Sequence, residues 1–475
     1  MALHLAERGV IAFAVALATI GVAGTTCLLL HQPAPVWLLG VGALCGLVAA
    51  WRRRGGQSVA VDHAPRWLSL LTIAVMAVAI GIVAFGALAT PSRHWDGAVA
   101  WDLKAAVLAA HAHLEQPFFR DDAVYSHSRD YPLLQPLLLA LLEGLGVAGR
   151  CLFPLVFTML LLAVQVAARS VHGAVRSSWF VIAATLTPMF LAPTSGGFDS
   201  GYADGLMAAA IAITALGFVQ RSSALLVAGA IVIAMAKPEG TAYAATLVVA
   251  VWLHGSRASV VAVGVGAAIG GALALALQQD LVHGGRSSMV WPAASGALVA
   301  TAALVLADAR LRARGGGQRA RWLLLALAIV PLSLLLAWLP RTGSLGSHFA
   351  DGERFWQRLH HLPRVALAIV EWAWFSGRFG LAFVLPVLFL MAKAPRTTGN
   401  AATRGLGIWL LLAVPVSFAP FLLSPIDDVE GHLRSALPRM LLQWCGAVWV
   451  WSAVQPWPTV GTQTNNGDPH SGVAA

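Results

Sequence analysis

The chain has 475 residues, 58% of them hydrophobic and only 11% charged, with a mean hydropathy of +0.74. A soluble domain carries roughly a quarter charged residues, so most of this surface must face lipid, and the apolar runs are continuous rather than alternating, which excludes a transmembrane β-barrel. The net charge of +10 is the Arg and Lys excess of loops on one side of a membrane and does not point to nucleic acid.

The expected fold is an all-α, polytopic transmembrane helical bundle. About fourteen apolar spans follow one another, near residues 10–30, 36–51, 67–89, 150–168, 178–193, 205–219, 223–237, 240–254, 258–277, 293–307, 322–339, 379–393, 406–422 and 438–454. The first is too long for a signal-peptide core and is retained as a span. Arg52, Arg53, Arg54 and Arg66 follow the second span, Arg169 and Arg176 the fourth. Arg310, Arg312, Arg314, Arg319 and Arg321 crowd one later loop, and Lys393, Arg396 and Arg404 another. With the N-terminus cytoplasmic, all of these fall inside, as expected of a multi-pass membrane protein.

That orientation puts residues 91–149 outside as the longest extracytoplasmic loop and 340–378 outside as a second. Residues 1–455 read as one membrane domain, and the polar tail 456–475 as disordered. Within the first loop, 132–145 is apolar but short for a span, which suits a juxtamembrane helix. Trp356, Trp372 and Trp374, among Arg354, Arg358, Arg364 and Arg378, suggest a second interfacial helix or an ordinary aromatic belt. Cys27, Cys45, Cys151 and Cys445 have no CxxC spacing and read as small core residues.

Four polar clusters interrupt the lipid-facing pattern. The first opens the long loop at Asp96 and continues through Asp102, Lys104, Asp130 and Tyr131, all candidate substrate-binding or catalytic residues. Asp96 begins a helical run, where the helix dipole keeps an acid ionised. It is either a general base for an acceptor hydroxyl or an N-terminal cap. Asp102, six residues on, sits well round the helix and cannot share its site.

The second cluster, Ser195 to Gly205, carries Asp199 and Asp204 among four glycines. Its carboxylates could hold a divalent cation such as magnesium or manganese, or the segment is a flexible turn with Asp204 capping the next helix. In the third, Lys237-Pro238-Glu239-Gly240 breaks an apolar stretch running from Ala224 to Leu253, predicting a helical hairpin with its apex outside. Charges at membrane depth are costly and usually functional. Lys237 could meet a phosphate, or Lys237 and Glu239 neutralise each other. The fourth, Asp427 to Arg439, offers His432, and Arg434 and Arg439 as a bidentate phosphate clamp; the competing reading is an interfacial anchor. The outer histidines have no HExxH or other ligand spacing, so no zinc site is expected.

In its later order, the chain resembles the GT-C glycosyltransferases, including the protein O-mannosyltransferases, the lipid A aminoarabinose transferases and many uncharacterised bacterial members. The resemblance rests on an outer loop that opens with an acid, on WDLKA…DYPLLQP, and on the GYADG, AMAKPEG and GHLRSALPRML segments, over roughly residues 67–455. The first two spans are extra relative to the usual plan. Where members often carry an acid pair, this chain has Asp96-Gly97, and the tryptophan expected before His432 is Gly431.

The resemblance implies a polyprenyl-phosphate sugar donor used on the outer face, a glycolipid or glycan acceptor, and Asp96 as the base. The expected substrate-binding set is then Asp102, Lys104, Asp130, Tyr131, Asp199, Asp204, Lys237, Glu239, His432, Arg434 and Arg439. The alternative is a transporter or flippase of lipid-linked envelope precursors, since a broken hairpin with buried charge also suits transport.

Overall fold

The fold is that of a computed structural model, which describes residues 2–53, 62–90, 95–111, 113–121, 124, 131–191, 196–283, 310, 357–391, 401–423 and 427–455. Every regular element among them is helical. In a bilayer a helix satisfies each backbone group within its own segment, which is why continuous apolar runs adopt it.

The N-terminal part comprises α1 (Ala2–Leu29), α2 (Leu38–Arg52), α3 (Arg66–Ala89), a π-helical turn at Gly97–Asp102, α4 (Leu103–His111), α5 (Pro117–Arg120) and α6 (Leu134–Gly144). The middle comprises α7 (Leu152–Val171), α8 (Ala174–Thr185), α9 (Pro188–Leu191), α10 (Asp204–Gln220), α11 (Ser223–Ala236), α12 (Gly240–His254) and α13 (Arg257–His283). The C-terminal part comprises α14 (Leu362–Val370), followed by a π turn at Glu371–Phe375, then α15 (Val384–Met391), α16 (Ala401–Leu423) and α17 (Val429–Ala453).

Among the described residues, five helices are long and apolar enough to cross a membrane: Leu3–Leu29, Arg66–Ala89, Gly149–Val171, Arg257–Gln278 and Ala402–Leu422. Shorter apolar helices accompany them at Leu38–Arg52, Leu134–Gly144, Asp204–Gln220, Ser223–Ala236 and Gly240–His254. The expected spans 293–307 and 322–339, residues 340–356 and the tail 456–475 lie outside the described residues. Two other expectations change in detail. The span near 178–193 is broken after Thr185, because Pro188 disfavours helix just before it. The helix near 132–145 is not laid on a surface by one face, since all of Leu134–Leu141 is buried within the protein.

The centre of the bundle is α10, whose residues are all buried from Asp204 to Phe218, as expected of a helix that is apolar all round. Small residues let its neighbours close in. A Cβ at Gly446 of α17 would come within 2.9 Å of the Ala212 side chain, a packing mode that membrane helices favour.

The helix ends sort to two faces. At one face, Arg53 Nε donates to Glu7 at 3.0 Å and Arg169 Nη2 to the Asp62 carbonyl at 2.9 Å. Arg66, Arg176, Arg221, Arg257 and Arg404 lie at helix ends on this same face. At the other face, the end of α3, the start of α7, the start of α10, the α11–α12 break and the start of α17 come together, and they carry the polar clusters.

Candidate functional site

The first cluster is built on a widened helical turn. Trp95 and Asp96 enter the π turn at Gly97–Asp102 before α4 begins. The Asp96 side chain makes no capping hydrogen bond. Its Oδ2 instead lies 3.3 Å from Arg439 Nη1 on α17, so the capping alternative falls away. Asp102 serves a different partner: its Oδ2 is 3.8 Å from Arg150 Nε. The two acids do not meet, as their six-residue spacing requires. Arg150 bolts the loop from below. Nη1 donates to the Thr90 carbonyl at 2.6 Å and Nη2 to the Asp199 carbonyl at 3.0 Å.

The floor of the site is an ion-pair network at the α11–α12 break. Helix α11 ends at Ala236 because Pro238 cannot continue it, and Lys237 takes an extended backbone. Gly240 restarts the chain so close to α11 that a Cβ there would strike the Ile233 carbonyl. Lys237 Nζ donates to Asp204 Oδ1 at 2.8 Å and pairs with Glu239 Oε1 at 3.0 Å. Gln443 Nε2, from α17, donates to both acids, at 2.5 Å to Asp204 and 3.1 Å to Glu239. Lys237 and Glu239 do pair, but with two further partners from α10 and α17. Asp204 is not a cap either: Ala203 precedes the helix and Asp204 stands in its first turn, wholly buried.

Arg439 stands one turn before Gln443 on the same face of α17. Its guanidinium lies over the Tyr202 ring, 4.3 Å from the centroid, which adds cation–π attraction to the Asp96 pair. Its stem passes the turn at 196–203 beside Gly196, which has φ +111°, and a Cβ there would sit 2.5 Å from Arg439 Cγ. Glycine is needed at that point for both reasons. Aromatic rings wall one side, with Trp101 and Tyr131 5.7 Å apart between centroids. Lys104 is fully buried; its Nζ donates to the Tyr131 carbonyl at 3.5 Å and lies 5.8 Å from the centre of that ring.

The structure thus gathers Asp96, Lys104, Tyr131, Asp204, Lys237, Glu239 and Arg439, with Asp102 held just behind by Arg150. It sets three others apart. The Asp199 side chain packs against Gly86 of α3, where a Cβ would collide with it, and does not join Asp204. His432 lies against Phe421, 5.0 Å between centroids. Burial, reinforced by the Arg439 and Arg358 charges, pushes its imidazole down to about 4, so it is neutral near pH 7. Arg434 is largely exposed and pairs with Glu430 at 3.5 Å. Asp130 lies outside the described residues.

Asp204 and Glu239 are both committed to Lys237 and Gln443, and among the described residues no three His, Cys, Asp or Glu side chains gather round one point.

Reading the chain alone passes over Gln443, Tyr202 and Arg150. Gln443 had a signal: it is four residues after Arg439, on one face of a helix, and its amide interrupts an apolar run. Arg150 had none, because it acts through backbone carbonyls of two distant loops. No family model, no curated protein and no solved structure matches this chain.

Proposed function

We propose that the protein is an integral-membrane glycosyltransferase of GT-C type, using a polyprenyl-phosphate sugar on the extracytoplasmic face of the bacterial inner membrane. The observation that carries this reading is the meeting of Asp96, Asp204, Lys237, Glu239 and Arg439. These come from four separate stretches and gather at one end of an apolar bundle, as a buried Lys237–Asp204–Glu239 network and an Arg439–Asp96 pair beside it. Ionisable groups placed at such cost inside an apolar protein are usually functional.

In the proposed reaction Asp96 takes the proton of an acceptor hydroxyl. The acceptor oxygen bonds to the anomeric carbon as the bond from that carbon to the phosphate oxygen breaks. The electron pair leaves on polyprenyl phosphate, and a guanidinium beside it neutralises the new charge, usually the largest single term in such a displacement. Arg439 is suited to that role: it carries a fixed charge and a planar fork that matches phosphate, beside an acid whose side chain is 36% exposed. The aromatic rings of Trp101, Tyr131 and Tyr202 suit a sugar face, and the glycolipid or glycan acceptor approaches from the Asp96 side.

The test is a mass profile of envelope glycolipids and surface glycans in the host, in a deletion strain, and in that strain carrying wild type or Asp96→Asn at matched membrane levels. A sugar-sized mass should vanish on deletion and return with wild type only. Loss of a positioned base costs about a hundred-fold or more in rate, so return of that mass with Asp96→Asn sinks the base assignment. Accumulation of whole precursors on the inner face, with no single sugar missing, would favour a flippase instead.

A further inference from the structure

Several cations line the site, but they differ in what already binds them. Lys237 is held between two carboxylates at 2.8 and 3.0 Å, and both are tied to Gln443. Arg150 spends its terminal nitrogens on two loop carbonyls. Lys104 is fully buried beneath Tyr131. Arg439 is held less completely. Its Nε donates to the Ser435 carbonyl at 3.2 Å and its Nη1 to Asp96 at 3.3 Å, while its Nη2 makes no hydrogen bond to a described residue. The Asp96 pair is long for an ion pair with charge-assisted hydrogen bonding, where about 2.7–2.9 Å is usual.

Taking these together, we infer that Arg439 is exchanged between Asp96 and the phosphate of a lipid-linked ligand, so that the ligand's anion displaces the Asp96 carboxylate from the guanidinium. This deepens the proposed function and rests on it. Before the ligand enters, Asp96 neutralises Arg439 and holds it over the Tyr202 ring. When the phosphate arrives, its oxygens take Nη1 and Nη2 as a bidentate pair, and Asp96 loses that cation. The Asp96 carboxylate oxygen that Arg439 held is then open to the acceptor hydroxyl, so donor binding and readiness for proton abstraction become one event. The donor would bind before the acceptor hydroxyl can react. Asp96 is then an internal competitor for the anion, and removing its charge must tighten anion binding even as it abolishes transfer.

The experiment uses the full chain in lipid nanodiscs and measures binding of polyprenyl phosphate, of polyprenol and of inorganic phosphate to wild type, Asp96→Asn, Arg439→Lys and Arg439→Gln. Folding of each variant is checked by monodispersity and thermal unfolding. Removing a partly exposed competing ion pair should raise affinity for polyprenyl phosphate roughly five-fold in Asp96→Asn. Arg439→Gln should weaken it by about ten-fold or more, with Arg439→Lys between, and polyprenol should be insensitive to all three.

Equal or weaker binding by Asp96→Asn overturns the exchange, as does wild-type binding by Arg439→Gln. Inorganic phosphate bound as tightly as polyprenyl phosphate overturns the lipid source. Transfer from a polyprenyl-phosphate sugar is followed separately in the same nanodiscs. Its absence in wild type, with the binding pattern intact, would sink the glycosyltransferase reading and leave the exchange standing.

Discussion

Gln443 and Asp204 stand 239 positions apart and meet at 2.5 Å, with the Gln443 amide also reaching Glu239 at 3.1 Å. One neutral side chain from the last helix therefore holds together the two acids that flank Lys237. An amide suits this place because it donates to both carboxylates without adding charge.

Gln443→Leu keeps the volume and removes the donor. Each acid then loses a hydrogen bond in a dry setting, a cost of ~1–3 kcal/mol. The midpoint of thermal unfolding in detergent should fall by several degrees, with membrane insertion unchanged. An unchanged midpoint would mean that the amide contributes nothing to the floor.

Lys237→Met should be far worse. It strands Asp204 and Glu239 as buried charges without their cation, which typically costs ~3–5 kcal/mol. The yield of monodisperse protein should collapse. The double variant Lys237→Met with Asp204→Asn should recover much of it, since one uncompensated charge is gone. Failure of that rescue would show that Lys237 acts elsewhere than in this network.

At Gly196, φ is +111° and the missing Cβ makes room for the Arg439 stem. Gly196→Ala should cost ~1–3 kcal/mol in backbone strain and push the Arg439 guanidinium off Asp96. Affinity for polyprenyl phosphate should change while α10–α12 keep their hydrogen-exchange protection. Wild-type affinity would show that the guanidinium is not held by this turn.

A pH effect is expected away from the site. Hydrogen bonds from Arg364 hold the Glu430 carboxyl below the usual carboxylate range, and the pair joins α14 to α17 at 2.7 Å. The folded-state pKa is depressed, so this contribution is complete above the unfolded value of about 4.3 and fades as pH falls through the lowered folded value. The protection of residues 362–370 against hydrogen exchange, relative to the intrinsic rate at each pH, should fall selectively at acid pH. Arg364→Ala should remove that dependence. Both groups are near the surface, so the effect is small and salt-sensitive.

The chain on its own determines that the protein is helical, that it is apolar enough for a bilayer, and where charge interrupts the apolar pattern. Those are local properties: twenty apolar residues have one good solution in lipid, and Pro238 stops a helix wherever it stands. Asp96, Asp204, Lys237, Glu239 and Arg439 are legible because a charge among apolar neighbours is conspicuous in one dimension. Their partners are not legible.

Only the tertiary structure decides that Asp204 joins Lys237 while Asp199 turns to α3, and that Arg439 takes Asp96 while Arg434 turns outward to Glu430. It alone brings in Gln443, Tyr202 and Arg150. The reason is geometric. Arg434 and Arg439, five apart on one helix, differ by a rotation that sends one to the edge of the bundle and the other into it, and which face is buried depends on helices hundreds of residues away.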